Sequence, residues 1–250
     1  MKRARIAHDG AVVWAEAVEN ETALRLPNGQ RIAATDALFL PPVTPGAAIF
    51  ALGLNYADHR AELGFKAKEP PLVFLKGQNT LVGHRGATPR PADGNQMHPE
   101  CELVAIIGTP ARHVAVESAL SHVAGYTIAC DYAIREYLEN YYRPNLRVKN
   151  RDATTPLGPF VVDAADIGDP QNLKIVTRVN GDVVQQGTTA DMVQGVAELI
   201  AYLSGFMTLM PGDMILTGTP EGVHFCAAGD RVECEIESIG VLENRLVAAS

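Results

Sequence analysis

Residues 100–102 read Glu-Cys-Glu and run directly into an apolar stretch, and Asp131 closes a second apolar stretch at 126–130. Successive residues of a strand point to opposite faces. Glu100 and Glu102 therefore share a face, and Cys101 takes the other. Two carboxylates side by side repel each other unless water screens them or a cation lies between them. Three carboxylates with no His or Cys cluster beside them make a hard oxygen donor set. That set suits Mg²⁺, Mn²⁺ or Ca²⁺ rather than zinc. The competing reading is a solvated strand edge plus a turn aspartate, and the residue types alone leave both open.

Other residues offer proton transfer and anion binding. His59 and Glu62 lie three apart in 56–63, which reads as a short helix capped by Asn55 and ended by Gly64, so they share a helical face. A carboxylate beside an imidazole orients it, as general acid–base catalysis near neutral pH requires. A surface His–Glu pair is the plainer alternative. In Thr217-Gly218-Thr219-Pro220, a glycine lets backbone N–H groups approach an anion, and the Thr219 hydroxyl can donate to a carboxylate. A turn threonine would look the same. Lys149 lies in a polar stretch, 143–157, with Arg143, Arg147 and Arg151; by itself it reads as a loop lysine in water.

The elements that must position these groups are mostly strands. Strand-like stretches fall at 11–18, 22–26, 31–33, 48–52, 72–75, 102–107, 126–130, 214–216, 232–236 and 241–247. Residues 173–179 and 183–186 flank Asn180-Gly181, the signature of a hairpin with a type I′ turn. Helices are expected at 114–123, 134–142 and 191–206; in the last, Met192, Val196, Leu199, Ile200 and Leu203 recur at helical spacing. Residues 83–99 read as a long loop. Trp14, the one tryptophan, reads as core, and His98 as a loop residue rather than a ligand. The Pro-rich segment 40–46 marks a linker. It divides a small N-terminal β subdomain, 1–43, from a main domain, 44–250. With no regular βαβ alternation, the fold class is mixed α/β and β-rich, not a doubly wound sheet or an eight-fold barrel.

Composition narrows the partners. In 250 residues, 47% are apolar and 20% charged, enough for a sizeable core. The net charge of −8 disfavours nucleic acid. No apolar run reaches the roughly 20 residues that would span a bilayer. The basic start has no apolar signal core behind it, and the four cysteines show no C-x-x-C spacing, so a cytoplasmic location with reduced thiols is expected.

Gly53-Leu54-Asn55-Tyr56-Ala57-Asp58-His59-Arg60-Ala61-Glu62 resembles the G-x-N-Y-x-x-H-x-x-E segment of the fumarylacetoacetate hydrolase superfamily. The resemblance continues in order through Glu100-Cys101-Glu102, Asp131, Lys149, 155–159 and 212–220, covering about residues 45–247. Within it, 131–149 and Gln185-Gln186-Gly187-Thr188-Thr189-Ala190-Asp191 look like the C-terminal half of the bifunctional isomerase/decarboxylases of 4-hydroxyphenylacetate (homoprotocatechuate) degradation.

The resemblance implies a β-roll of mixed sheets and a divalent metal on Glu100, Glu102 and Asp131, Mg²⁺ first, with Mn²⁺ or Ca²⁺ as alternatives. It implies a general acid–base dyad of His59 and Glu62 on a lid-like helix. It also implies Lys149 as the cation that meets the substrate's carboxylate or 2-oxo oxygen, with Thr219 and Arg143 as further substrate contacts. The implied substrate is a small 2-oxo di- or tricarboxylate, handled by Lewis-acid chemistry without an organic cofactor. The implied reactions are decarboxylation of 5-oxopent-3-ene-1,2,5-tricarboxylate and isomerisation of 2-hydroxyhepta-2,4-diene-1,7-dioate. Alternatives are C–C hydrolysis of an acylpyruvate such as fumarylpyruvate, decarboxylation of oxaloacetate, or a non-catalytic partner subunit. Assembly as a homodimer or higher oligomer, or with a paralogous subunit, is implied too. One departure concerns the centre: Cys130 stands where the family often has Asn, which weakens hydrogen-bonded support for Asp131.

Overall fold

In residues 231–236, Val232, Cys234 and Ile236 face inward while Arg231, Glu233 and Glu235 face out, the two-residue period of a half-buried strand. In Cys101–Ile107 every residue is buried, as in a strand covered on both faces. These two patterns organise the molecule. The computed structural model describes residues 1–58, 70–138 and 146–249.

Strands β1 (Lys2–His8), β2 (Ala11–Val18), β3 (Ala23–Arg25), β4 (Arg31–Ala33) and β5 (Leu38–Phe39) form the N-terminal part. Next come β6 (Ile49–Gly53), β7 (Leu72–Leu75), β8 (Leu81–Val82), β9 (Gly86–Arg90), β10 (Met97–His98), β11 (Cys101–Ile107), β12 (Val123–Cys130) and β13 (Ala133–Ile134). The chain ends with β14 (Thr155–Asp163), β15 (Lys174–Val179), β16 (Asp182–Thr188), β17 (Met214–Leu216), β18 (Arg231–Ile236) and β19 (Gly240–Ala248). A 12-stranded sheet runs β4-β3-β2-β1-β14-β12-β11-β17-β6-β7, with β5 on β1 and β8 on β14. A five-stranded sheet runs β16-β15-β18-β19-β9, and β10 pairs with β13. The result is the β-rich mixed architecture expected, with parallel and antiparallel pairs in each large sheet.

The pleat of β11 divides the core. Cys101, Leu103, Ala105 and Ile107 join Cys130, Ile175, Cys234 and Ile236 in the cluster against the five-stranded sheet. Val104 and Ile106 join Ile49, Ala129, Met214 and Leu216 on the opposite side. The helix Val196–Phe206 closes the first cluster with Val196, Leu199, Ile200 and Leu203, one stripe at helical spacing. Its first amides are satisfied from outside the backbone ladder: Val196 N–H donates to Gln171 Oε1 at 2.7 Å and Gly195 N–H to Glu198 Oε2 at 2.6 Å.

The expected hairpin is present, with Asn180 at φ 53° and Gly181 at φ 95° between β15 and β16. Other expectations are corrected. Residues 83–99 contain β9 and β10 rather than a continuous loop. The prolines that obscured β9 are tolerated because it is an edge strand, paired only with β19. Residues 134–142 are not a helix where they are described. Ala133–Ile134 pairs with β10, and a single 3₁₀ turn, Arg135–Tyr137, follows. The polar stretch 143–157 holds a short helix, Leu146–Lys149, and the start of β14. The helix expected over 114–123 shrinks to Val116–Ala119 and a 3₁₀ turn, because Val123 already enters β12. Trp14 is 44% exposed and is not core. The N-terminal strands extend the large sheet through Lys2↔Val162 and Arg3↔Val161, and their cluster closes on Phe160. Among the described residues no helix is long and apolar enough to cross a membrane.

Candidate active site

Register brings the carboxylates together. Cys101 lies opposite Cys130 in the β11–β12 ladder, so Glu100, Glu102 and Asp131 flank one cross-strand pair. The Asp131 N–H donates to the Glu100 carbonyl at 2.8 Å, extending the pairing past both strand ends. The three residues are buried, and one carboxylate oxygen of each lies within 4.8 Å of the others. The cysteines point into the opposite cluster.

The donor set fits a divalent cation. Among the described residues Glu102 Oε1 is buried without a hydrogen-bond partner, while Oε2 accepts from the Gly218 N–H at 2.7 Å. A buried, half-satisfied carboxylate is costly unless a cation meets it. Burial pushes the Glu102 carboxyl well up, and the charges of Asp131 and Glu100 push it further. Three carboxylates face two buried ammonium groups, Lys149 and Lys76.

Lys149 is one of those ammonium groups, held at the end of the short helix. It donates to Glu100 Oε2 and, at 3.1 Å, to the Asp131 carbonyl, and its Nζ lies 2.9 Å from Asp131 Oδ2. Burial works to lower its pKa, but the attraction of Asp131, Glu100 and Glu102 outweighs it and holds the ammonium above the usual lysine range. Sequence reasoning missed the second, Lys76, which follows β7. Its side chain is fully buried, donates to Asp131 Oδ1 at 2.6 Å and also donates to the Lys149 carbonyl. A lone lysine after an apolar strand reads as a surface residue; only the fold carries it to Asp131.

His98 lies in a strand, not in the loop expected. It is 1% exposed in β10, accepts from Arg135 Nε at 2.9 Å, and its Nε2 lies 3.4 Å from Glu100 Oε1. Arg135 itself comes within 3.8 Å of that oxygen. Thr219 is buried one residue past Gly218, and its hydroxyl accepts from Gln185 Nε2 at 3.0 Å. Gln185 is held by Thr177 Oγ1 at 2.7 Å and donates to the Pro220 carbonyl at 2.8 Å, so the Thr219 proton remains available to donate. Arg147 and Arg151 stack on Tyr137, 4.0 and 5.5 Å from the ring centroid, which accounts for both without a ligand. The structure therefore brings together Glu100, Glu102, Asp131 and Lys149, with Thr219 next to the Gly218 amide. His59, Glu62 and Arg143 lie outside the described residues.

Asn55 fixes the chain at the start of residues 56–58. Its Nδ2 donates to the Thr217 and Gln194 carbonyls at 2.8 and 3.0 Å, and its Oδ1 accepts from Gln194 N–H at 3.1 Å. The chain entering 56–58 is thereby tied to the Gly218 turn.

Residues 48–247 match the model of the fumarylacetoacetate (FAA) hydrolase C-terminal family. Over 204 residues the chain is 56% identical to the 4-hydroxyphenylacetate degradation bifunctional isomerase/decarboxylase of Escherichia coli, covering 82% of this chain and 48% of that protein. The chain spans about half the length of the curated bifunctional isomerase/decarboxylases it matches. The solved structure of 5-carboxymethyl-2-hydroxymuconate delta-isomerase from Mycobacterium smegmatis matches with a TM-score of 0.88 at 34% identity, covering 100% of both chains. That of maleylpyruvate hydrolase from Sphingobium sp. SYK-6, in complex with manganese(II) and pyruvate, matches with a TM-score of 0.85 at 27% identity, also over 100% of both.

Proposed function

This chain belongs to the fumarylacetoacetate hydrolase family, and from that premise we propose that it decarboxylates 5-oxopent-3-ene-1,2,5-tricarboxylate, isomerises 2-hydroxyhepta-2,4-diene-1,7-dioate, or both, in 4-hydroxyphenylacetate catabolism. The observation that carries the reading is the buried triad of Glu100, Glu102 and Asp131 with the Lys149 ammonium 2.9 Å from Asp131. The 56% identity to a bifunctional isomerase/decarboxylase supports the choice of reaction. Catalysis belongs to residues 44–250, with 1–43 as a β appendage, in the cytoplasm, in a homodimer or higher oligomer or beside a paralogous subunit.

Glu100, Glu102 and Asp131 would hold Mg²⁺, with Mn²⁺ or Ca²⁺ as substitutes. The bound ion supplies Lewis-acid polarisation of a 2-oxo group and neutralises charge that builds on its oxygen. The protein supplies the rest. Lys149 brings a fixed positive charge to the substrate's carboxylate or 2-oxo oxygen. Burial makes that charge act through a low dielectric, where it is stronger than in water. Thr219, steadied by Gln185, donates its hydroxyl hydrogen to a substrate carboxylate, and Arg143 meets a distal one. When the bond to the departing carboxylate breaks, its electron pair passes through the conjugated alkene toward the 2-oxo oxygen. His59, oriented by Glu62, returns a proton to carbon. In the isomerisation the 2-hydroxyl gives up its proton and becomes a 2-oxo group while the same dyad delivers a proton to the far end of the diene, with no loss of CO₂.

A second reading, C–C hydrolysis of an acylpyruvate, is favoured by the full-length likeness to maleylpyruvate hydrolase. In that reaction His59 would activate water rather than protonate carbon. Following the dienol chromophore in the ultraviolet, with the tricarboxylate, the hydroxydiendioate and fumarylpyruvate offered separately with Mg²⁺, separates the readings. Turnover of either of the first two supports the proposal. Turnover of fumarylpyruvate alone replaces it with hydrolysis.

A further inference from the structure

Asp131 is the only member of the carboxylate triad whose one oxygen is taken by a fully buried lysine outside the predicted ligand and catalytic set. Lys76 Nζ donates to Asp131 Oδ1 at 2.6 Å, and the Lys76 side chain has no exposure to solvent. The lysine cannot swing away easily, because the backbone on both sides of it is pinned. Gly77 N–H donates to Asn150 Oδ1 at 2.6 Å, and Asn150 Nδ2 donates to the Leu75 carbonyl at 3.0 Å. Lys76 N–H donates to the Ile49 carbonyl at 2.9 Å, and Lys76 Nζ also bonds the Lys149 carbonyl. Asn150 thus grips the strand end that carries Lys76, and Lys76 in turn grips Lys149.

Glu102 follows the same pattern: it gives Oε2 to the Gly218 amide, and among the described residues its Oε1 is unpartnered. Asp131 gives Oδ1 to Lys76 and turns Oδ2 toward the site, where Lys149 Nζ also lies. Each of these carboxylates is thereby limited to one oxygen for a cation. Small divalent ions such as Mg²⁺ demand octahedral geometry with single-oxygen ligands, whereas Ca²⁺ takes six to eight oxygens and readily accepts bidentate carboxylates.

We infer that Lys76 is a selectivity residue: by occupying Asp131 Oδ1 it denies the site a bidentate aspartate and so favours Mg²⁺ and Mn²⁺ over Ca²⁺. The inference rests on the metal-binding reading of the triad. Two effects of removing Lys76 separate cleanly. Losing a positive charge strengthens the binding of every divalent ion alike, because all carry the same charge. Freeing Oδ1 helps only the ion that can use a second oxygen, so the ratio of Ca²⁺ to Mg²⁺ affinity isolates the hydrogen bond from the charge.

The test is isothermal titration of metal-stripped full-length chain with MgCl₂ and CaCl₂ separately, for wild type, Lys76→Met and Lys76→Gln. Met removes the donor, and Gln is one atom too short to reach Oδ1 in the same way. The expected result is wild-type preference for Mg²⁺ and a rise of about tenfold or more in the Ca²⁺-to-Mg²⁺ affinity ratio in both variants, the size typical of altered outer-shell partners. Thermal denaturation with each ion gives the same ratio from ligand-induced shifts if one variant is too unstable to titrate. An unchanged ratio, with both affinities moving together, overturns the inference and leaves the metal site standing. No binding of either ion by wild type overturns the metal reading and this inference together.

Discussion

The Gly218 amide donates to Glu102 Oε2 at 2.7 Å, joining the loop after β17 to a carboxylate on β11. Gly218 holds φ at +86°, where L side chains are strained, and an added Cβ would sit 3.0 Å from Asn55 Cβ and 3.3 Å from the Leu52 carbonyl. Gly218→Ala should therefore destabilise the fold by about 1–3 kcal/mol. It should also weaken Mg²⁺ binding, because the amide that orients Glu102 has to move. Urea denaturation and metal titration on the same preparation check both parts; wild-type values for both would contradict this role for the turn.

Lys149 sits among three carboxylates, so its removal leaves them facing one another with Lys76 on Asp131 and Arg135 beside Glu100. Lys149→Met should lower the stability of the metal-free protein by about 3–5 kcal/mol, the cost of breaking a buried ion pair from one side. Mg²⁺ should restore a larger share of that loss than it adds to wild type, since the ion takes over charge compensation. Thermal melts with and without Mg²⁺ measure the difference between the two shifts. Turnover should stay low even in saturating metal if Lys149 is the cation that meets the substrate, as proposed.

Much of this centre was legible in the sequence because it rests on local rules. Strand alternation placed Glu100 and Glu102 on one face and Cys101 on the other, and the Asn180-Gly181 hairpin follows from turn chemistry alone. What could not be read is long-range. Lys76 meets Asp131 across 55 residues, and His98 reaches Glu100 through the pairing of two-residue strands that leave no periodic pattern. Strand β14 hid behind Pro156 and Pro159. The helix expected at 134–142 had helical composition, yet Ile134 is claimed by Met97 and the Tyr137 hydroxyl by Asp93, tertiary partners that override local propensity.

Away from the centre, His84 gives the fold a pH dependence. Burial, helped by the Arg85 charge, pushes its pKa down to about 4. Its Nδ1 accepts from the Glu243 N–H at 3.0 Å, a bond only the neutral ring can make. In the unfolded chain the ring titrates near the ordinary value of about 6.5. Between those two values the unfolded state binds the extra proton. This contribution is thus complete above pH ~6.5 and is lost as pH falls toward ~4, by up to about 3 kcal/mol. His84→Gln keeps an acceptor and removes the titration, so its urea midpoint should change less between pH 7.5 and pH 4.5 than the wild-type midpoint does. Equal slopes in the two proteins would show that His84 does not set this dependence.

A buried triad that makes a metal-dependent catalyst shows itself in CO₂ release from 5-oxopent-3-ene-1,2,5-tricarboxylate by metal-stripped chain, before and after addition of Mg²⁺, in wild type and Glu102→Ala. The expected result is negligible release without metal, rapid release with it, and a loss of at least about a hundredfold in the variant. CO₂ release that ignores Mg²⁺, or that Glu102→Ala leaves intact, would contradict it.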